Sequence, residues 1–202
     1  MDKFNIVLTS NGFNNSLRSE EIDILFKEIT ENKKVLIIAN ATKTGHNVRS
    51  RKDAKENLER VGARVVDVIE IDNNNLRTIF DYDVLYVMGG DIKPLLEDFQ
   101  EINFRDYLLR FLQTGIYIGE SAGSIVLCDN VKWRYDIKKG SKPMYDSILN
   151  SYEGLGITKR NIYPHFNEVS DEMYKKIKEY EKQNNIIITP LYEGEFILEH
   201  FI

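Results

Sequence analysis

Short apolar runs recur along the first part of the chain: Ile6-Val7-Leu8, Val35 to Ala39, Val65 to Ile69, Val84 to Met88 and Ile116-Tyr117-Ile118. They are rich in β-branched residues and scarcely alternate with polar ones, the pattern of strands buried on both faces of a parallel sheet. The stretches between them carry helical periodicity instead. Ile22, Leu25, Phe26 and Ile29 fall on one helical face, with Glu20, Glu21, Lys27 and Glu28 turned elsewhere. Residues 48–61 are highly charged, with Leu58 and Val61 as the clearest apolar positions and Gly62 placed to cap a helix C-terminus. Phe104, Tyr107, Leu108, Phe111 and Leu112 form a further stripe, closed by Gly115. This alternation predicts an α/β fold, a doubly wound, mostly parallel sheet flanked by helices with right-handed crossovers. No internal repeat or linker divides the chain, so residues 1–202 read as one domain.

Residues 129–163 break the rhythm. They are polar, contain Gly140, Pro143, Gly154 and Gly156, and show no sustained period. Such a stretch predicts a functional loop region or small hairpin, weakly packed and free to move over a site. Helical pattern resumes at 170–183, with Met173, Ile177 and Tyr180 in phase. Ile186-Ile187-Ile188 and Glu195 to Leu198 then read as two late strands around a Glu193-Gly194 turn.

Composition narrows the function. The 202 residues carry 27 Lys and Arg against 32 Asp and Glu, a net charge of −5, which lacks the basic footprint of a nucleic-acid binder. The single cysteine, Cys128, excludes an internal disulfide framework and a cysteine-rich zinc site. No apolar run approaches the roughly 20 residues that span a bilayer. The N-terminus enters its first apolar run directly rather than through a signal-peptide pattern. The expectation is a soluble cytoplasmic protein, monomer or homodimer, with neither nucleic acid nor membrane as a partner.

The candidate chemistry begins at Gly119-Glu120-Ser121-Ala122-Gly123, which matches Gly-x-Ser-x-Gly after one predicted strand and before the apolar segment 124–128. A nucleophile on a sharp strand-to-helix turn adopts a strained backbone, and flanking glycines remove the Cβ atoms that would clash. The turn presents Oγ at the carboxyl edge of the sheet, where open α/β folds bind ligands. The N–H of Ala122 then opens a helix and can stabilise an oxyanion. The plainer alternative is a glycine turn with an incidental serine. Met88-Gly89-Gly90-Asp91 ends the preceding strand, making the Gly90 N–H a candidate second oxyanion donor and Asp91 a helix cap. No Gly-Lys-Ser/Thr follows, so this is not a phosphate loop.

A serine nucleophile needs a base, and the chain offers three histidines. His46 lies in a polar loop and His200 near the C-terminus; His165, in Tyr163-Pro164-His165-Phe166, is the best placed. For the acid that orients the imidazole, Glu193 follows an apolar strand and Asp136 lies in the loop region after the elbow, and the residues alone leave both open. Glu120, beside the serine, could face a substrate amino group.

Taken in order, the Gly-x-Ser-Ala-Gly element, the Gly-Gly-Asp strand end, the Pro-His-Phe element and the late Glu-Gly turn resemble the peptidase E (aspartyl dipeptidase) and cyanophycinase family of serine peptidases. The likeness runs through nearly the whole chain. It implies a fold like that of class I glutamine amidotransferase domains, no metal or organic cofactor, and a Ser-His-Glu triad. By that resemblance Ser121 is the nucleophile, His165 the base and Glu193 its acid; Gly90 and Ala122 form the oxyanion hole. Asp136 falls where members carry another acid near the site and stands in reserve.

Two departures stand out. Aspartyl dipeptidases follow Pro-His-Phe with an insertion containing Gly-Glu-Thr-Arg, whose base suits a substrate Asp, whereas this chain reads Asn167-Glu168-Val169-Ser170-Asp171-Glu172. Longer relatives also add strands after the Glu-Gly turn, while this sequence ends at Ile202. The leading expectation is a serine exopeptidase acting on short peptides, with N-terminal Asp dipeptides among the candidates. The alternatives are an esterase or amidotransferase-like hydrolase, and a non-catalytic binder of a peptide or metabolite.

Overall fold

The computed structural model describes residues 4–13, 19–42, 48–140 and 149–201. Along the chain these form β1 (Ile6–Thr9), α1 (Glu20–Thr30), β2 (Lys34–Ile38), α2 (Val48–Arg60), β3 (Val65–Ile69), β4 (Val84–Val87), α3 (Ile92–Glu101) and α4 (Phe104–Phe111). There follow β5 (Ile116–Glu120), α5 (Ala122–Ile125), α6 (Lys132–Lys138), β6 (Asn161–Pro164), α7 (Asp171–Asn184), β7 (Ile188–Leu191) and β8 (Phe196–Glu199). The main sheet has the order β3-β2-β4-β5-β1-β8. Its first five strands are parallel, and β8 lies antiparallel on β1 with Thr9 opposite Phe196.

The non-alternating runs have a direct cause. Along the inner strands, successive residues point to opposite faces, and both faces are covered. Val7, Ile37, Tyr86 and Ile118 pack against Ile22 and Phe26 of α1 and Leu58 of α2. Leu8, Leu36, Leu85 and Tyr117 face Leu95 and Phe99 of α3, Leu108 of α4 and Ile125 of α5. The two edge strands are half-exposed instead, with Val65 and Asp67 of β3 and Leu198 of β8 open to solvent. Asp91 caps α3 by accepting the Lys93 N–H at 2.9 Å, and Ser170 caps α7 through the Met173 N–H at 3.2 Å.

Outside α6 and the start of β6, the described part of 129–163 is loop as expected, but it is well packed rather than weakly so. Within it α6 buries Trp133, Tyr135 and Ile137, and Leu149, Leu155 and Ile157 join the main core. Regular hydrogen bonding continues there too, with Leu155 N donating to Val126 O at 2.7 Å and Ile157 N to Leu127 O at 2.9 Å. The segment lacks a clean period because its apolar residues serve two different cores. Residues 141–148 lie outside the described part.

The late strands also part company. β7 begins at Ile188 and runs to Leu191, further along than the Ile186–Ile188 run suggests, and pairs in parallel with β6 to form a separate two-stranded sheet. On one face Ile162 and Leu191 extend the main core; on the other, Tyr163 and Ile188 pack on Trp133, Ile137 and Ile177. Parallel pairing places the carboxyl ends of β6 and β7 side by side, Pro164 opposite Leu191.

Cys128 is fully buried, and desolvation pushes its thiol up to about 12. It is expected to resist thiol reagents in the native protein and to take up one equivalent in denaturant, as a disulfide-exchange colour assay would read. Among the described residues, no helix is long and apolar enough to cross a membrane.

Candidate active site

At the end of β5 the backbone of Ser121 turns through φ 46°, ψ −102°, a region that non-glycine residues rarely enter. The surrounding structure holds it there. Ser121 N donates to Thr9 O at 3.0 Å, and its carbonyl accepts Ser124 N and Ile125 N at 2.9 and 3.0 Å. The flanking glycines are sterically required. A Cβ on Gly119 would come 2.7 Å from the Gly123 carbonyl oxygen, and one on Gly123 would press into the Val87 carbonyl. From below, the Tyr117 hydroxyl donates to Gly123 O at 2.7 Å, and buried Ser124 Oγ accepts Thr9 N–H at 3.1 Å.

The adjacent ends of β6 and β7 deliver the other two side chains. Ser121 Oγ lies 2.9 Å from His165 Nε2, and His165 Nδ1 lies 2.5 Å from Glu193 Oε1. The imidazole is a third exposed, while the Glu193 side chain is 4% exposed, its Oε2 lacking a hydrogen-bond partner. His165 is also left-handed, at φ 59°, and its N–H donates to Ser10 Oγ at 2.8 Å. Asn167 Oδ1 accepts Glu193 N–H at 2.6 Å, and Asn11 Oδ1 accepts Gly194 N–H at 3.2 Å. Two residues just past β1 thus tie both halves of the His–Glu pair to the central sheet.

Ser10 is therefore a positioning residue. Ser10→Ala removes the acceptor for the His165 N–H and should lower kcat about 10- to 100-fold with little change in KM, since small displacements of a reacting group are costly. Steady-state kinetics read the split, with urea unfolding run beside them; a KM rise matching the kcat loss would point to substrate binding, and a matching fall in stability to general loss of folding.

The other sequence candidates sort as follows. Gly89 touches the nucleophile: a Cβ there would lie 3.0 Å from Ser121 Cβ. Gly90 has φ 139°, and a Cβ on it would run into the Ala41 carbonyl. The N–H groups of Gly90 and Ala122 donate to no protein acceptor among the described residues. Asp136 is directed elsewhere, paired with Lys132 at 2.6 Å and accepting the Tyr180 hydroxyl at 2.9 Å, so it fastens α6 to α7 rather than orienting His165. Glu120 does not face a substrate amine: it is buried and accepts the Tyr86 hydroxyl at 2.7 Å. Burial and that carboxylate together push the Tyr86 phenol well above its ordinary value. His200 lies by the register of β8 at the opposite end of the sheet from Ser121, and His46 lies outside the described residues.

Sequence reading missed Ser10, Asn11, Asn167 and Glu168. The first two could have been found, being polar residues at the carboxyl end of a central parallel strand, where ligand sites form. Glu168 closes the 3-10 turn Phe166–Glu168 through its N–H to His165 O, and one of its carboxylate oxygens comes within 4.8 Å of potential ligand atoms of His165 and Glu193. Both ring nitrogens are already engaged, one by Ser121 and one by Glu193.

A mostly parallel sheet with a strained serine elbow at its carboxyl edge is the arrangement of α/β proteins built around a nucleophile turn. The chain belongs to peptidase family S51, whose family model matches residues 6–200. Among solved structures, a provisionally assigned peptidase E from Listeria monocytogenes EGD-e is similar with a TM-score of 0.75 at 22% identity, over 97% of this chain and 94% of that one. A peptidase from an acI-B1 actinobacterium is similar with a TM-score of 0.63 at 17% identity, over 96% of this chain and 82% of the other. At these identities the likeness establishes a shared fold. No curated protein matches the sequence significantly.

Proposed function

We propose that this protein is a serine-type peptidase that hydrolyses short peptides through an acyl-enzyme. The observation that carries the reading is the continuous hydrogen-bonded line from Ser121 Oγ through His165 to Glu193, with separations of 2.9 and 2.5 Å. As Ser121 Oγ attacks the scissile carbonyl carbon, its proton passes to His165 Nε2, and the carbonyl oxygen becomes an oxyanion held by the N–H groups of Gly90 and Ala122. Glu193 accepts the Nδ1–H, fixes the tautomer and stabilises the imidazolium. The imidazolium proton then goes to the leaving nitrogen as the C–N bond breaks, leaving an ester on Ser121. Water, deprotonated by His165, attacks that ester, and the returning proton restores Ser121. One backbone donor of this kind is worth on the order of 10²–10³ in turnover.

The test is a dipeptide panel initiated by Asp, Glu, Ala, Leu and Lys, run beside Ser121→Ala. Ser121-dependent cleavage is the expected result. Cleavage confined to Asp-initiated members would assign aspartyl dipeptidase specificity. Turnover of esters alone would move the assignment to an esterase. Ligand-induced stabilisation without turnover, unchanged in Ser121→Ala, would make the protein a binder and overturn the reading.

A further inference from the structure

We propose that Glu168 is a specificity-determining residue that selects leaving groups carrying a positive charge, such as a Lys or Arg side chain, over anionic ones. This rests on the peptidase reading above. The leaving nitrogen receives its proton from His165 Nε2, so the departing half of the substrate passes the edge of the imidazole. Glu168 stands at that imidazole, one turn beyond His165, with a carboxylate oxygen within 4.8 Å of potential ligand atoms of His165 and Glu193.

That carboxylate is uncompensated. Glu168 is exposed and makes no side-chain hydrogen bond or ion pair among the described residues. Beside it, the buried Glu193 has a second oxygen without a partner. In the segment 167–172 Glu172 is paired with Lys176 at 2.9 Å, whereas Glu168 has no such base among the described residues, and Lys178, on the neighbouring aromatic cluster, is paired with Glu181 at 2.8 Å. Its distance from the catalytic pair falls inside the Debye length of about 8 Å at physiological salt, so solvent ions leave much of its field acting at the site.

The surroundings also suit an organic cation. Phe166, two residues before Glu168, packs edge-on against Tyr192 with centroids 5.3 Å apart, and Tyr192 remains 39% exposed. The Glu168 charge attracts an alkylammonium or guanidinium, and the open Tyr192 ring, which adjoins Glu193 in the chain, offers such a group a quadrupole and a surface for its aliphatic stem. An anionic side chain on the leaving residue meets repulsion at the same place.

The test uses peptide amides that differ only in the residue after the scissile bond, Lys, norleucine or Glu. The wild type should follow that order, with kcat/KM for Lys about tenfold above norleucine. Glu168→Gln should bring that ratio within about threefold, and Glu168→Lys should favour Glu. A second readout needs no turnover: Ser121→Ala is titrated with lysinamide and norleucinamide, followed by the His165 imidazole NMR signals. Lysinamide should bind about tenfold tighter, and the difference should vanish in the Ser121→Ala/Glu168→Gln double variant. Absence of the charge order in the wild type, its survival in Glu168→Gln, or equal binding of the two amides would each overturn the proposal. Charge-dependent binding with no peptide turned over would sink the peptidase reading and leave Glu168 as a cation site.

Discussion

Ser121→Ala is expected to lower kcat/KM on cleavable peptides by about 10⁴- to 10⁶-fold, because serine and imidazole act as one unit and removing either removes both. The protein should still fold. Ser121 Oγ contacts His165 at the site's surface, while the elbow is held by backbone bonds that alanine preserves. Ser121→Gly should be just as inactive yet more stable by about 1 kcal/mol, since glycine enters the φ 46° conformation without the Cβ penalty. Urea unfolding beside the assay checks both. A Ser121→Gly variant no more stable than wild type would show that the elbow stores no strain.

Glu193→Gln is expected to cost on the order of 10⁴ in kcat, while Asp136→Asn stays within about twofold of wild type. An amide cannot replace the carboxylate opposite His165 Nδ1: turned one way it loses the negative charge, turned the other it points N–H at N–H and favours the wrong tautomer. Glu193 is nearly fully buried, so water cannot substitute for it. Asp136 contacts Lys132 and Tyr180 at the surface, where such pairs contribute little. The comparison is made by single-turnover kinetics with stability measured in parallel. An active Glu193→Gln beside a dead Asp136→Asn would transfer the role of acid.

Much of this site was legible because its chemistry coincides with local backbone rules. Gly119, Ser121 and Gly123 carry their own steric signature, and the strand before them is a plain apolar run. The Glu193-Gly194 turn was visible between apolar segments, but residues alone could not choose between Glu193 and Asp136. That choice depends on β6 pairing with β7, a contact between distant segments that no local period announces. β6 itself was hidden because its four residues alternate between two cores, Ile162 facing one and Tyr163 the other. The packing of 129–163 was missed for the same reason: Trp133 and Ile137 of α6 face one core, while Leu155 and Ile157 face the other. Glu120 shows the opposite failure. A charge beside a nucleophile suggested substrate contact, yet strand alternation turns it into the core against Tyr86.

In the proposed mechanism everything depends on His165 activating Ser121 for nucleophilic attack. The most direct test is the intact mass of the protein after treatment with a fluorophosphonate, with the modified peptide mapped. Ser121 oxygen displaces fluoride from phosphorus only when its proton is removed, so the label reports activation independently of substrate choice. One adduct per chain is expected, located on Ser121, with the rate falling at least about 10³-fold in His165→Ala. Labelling at another residue, or at Ser121 equally fast without His165, would contradict it.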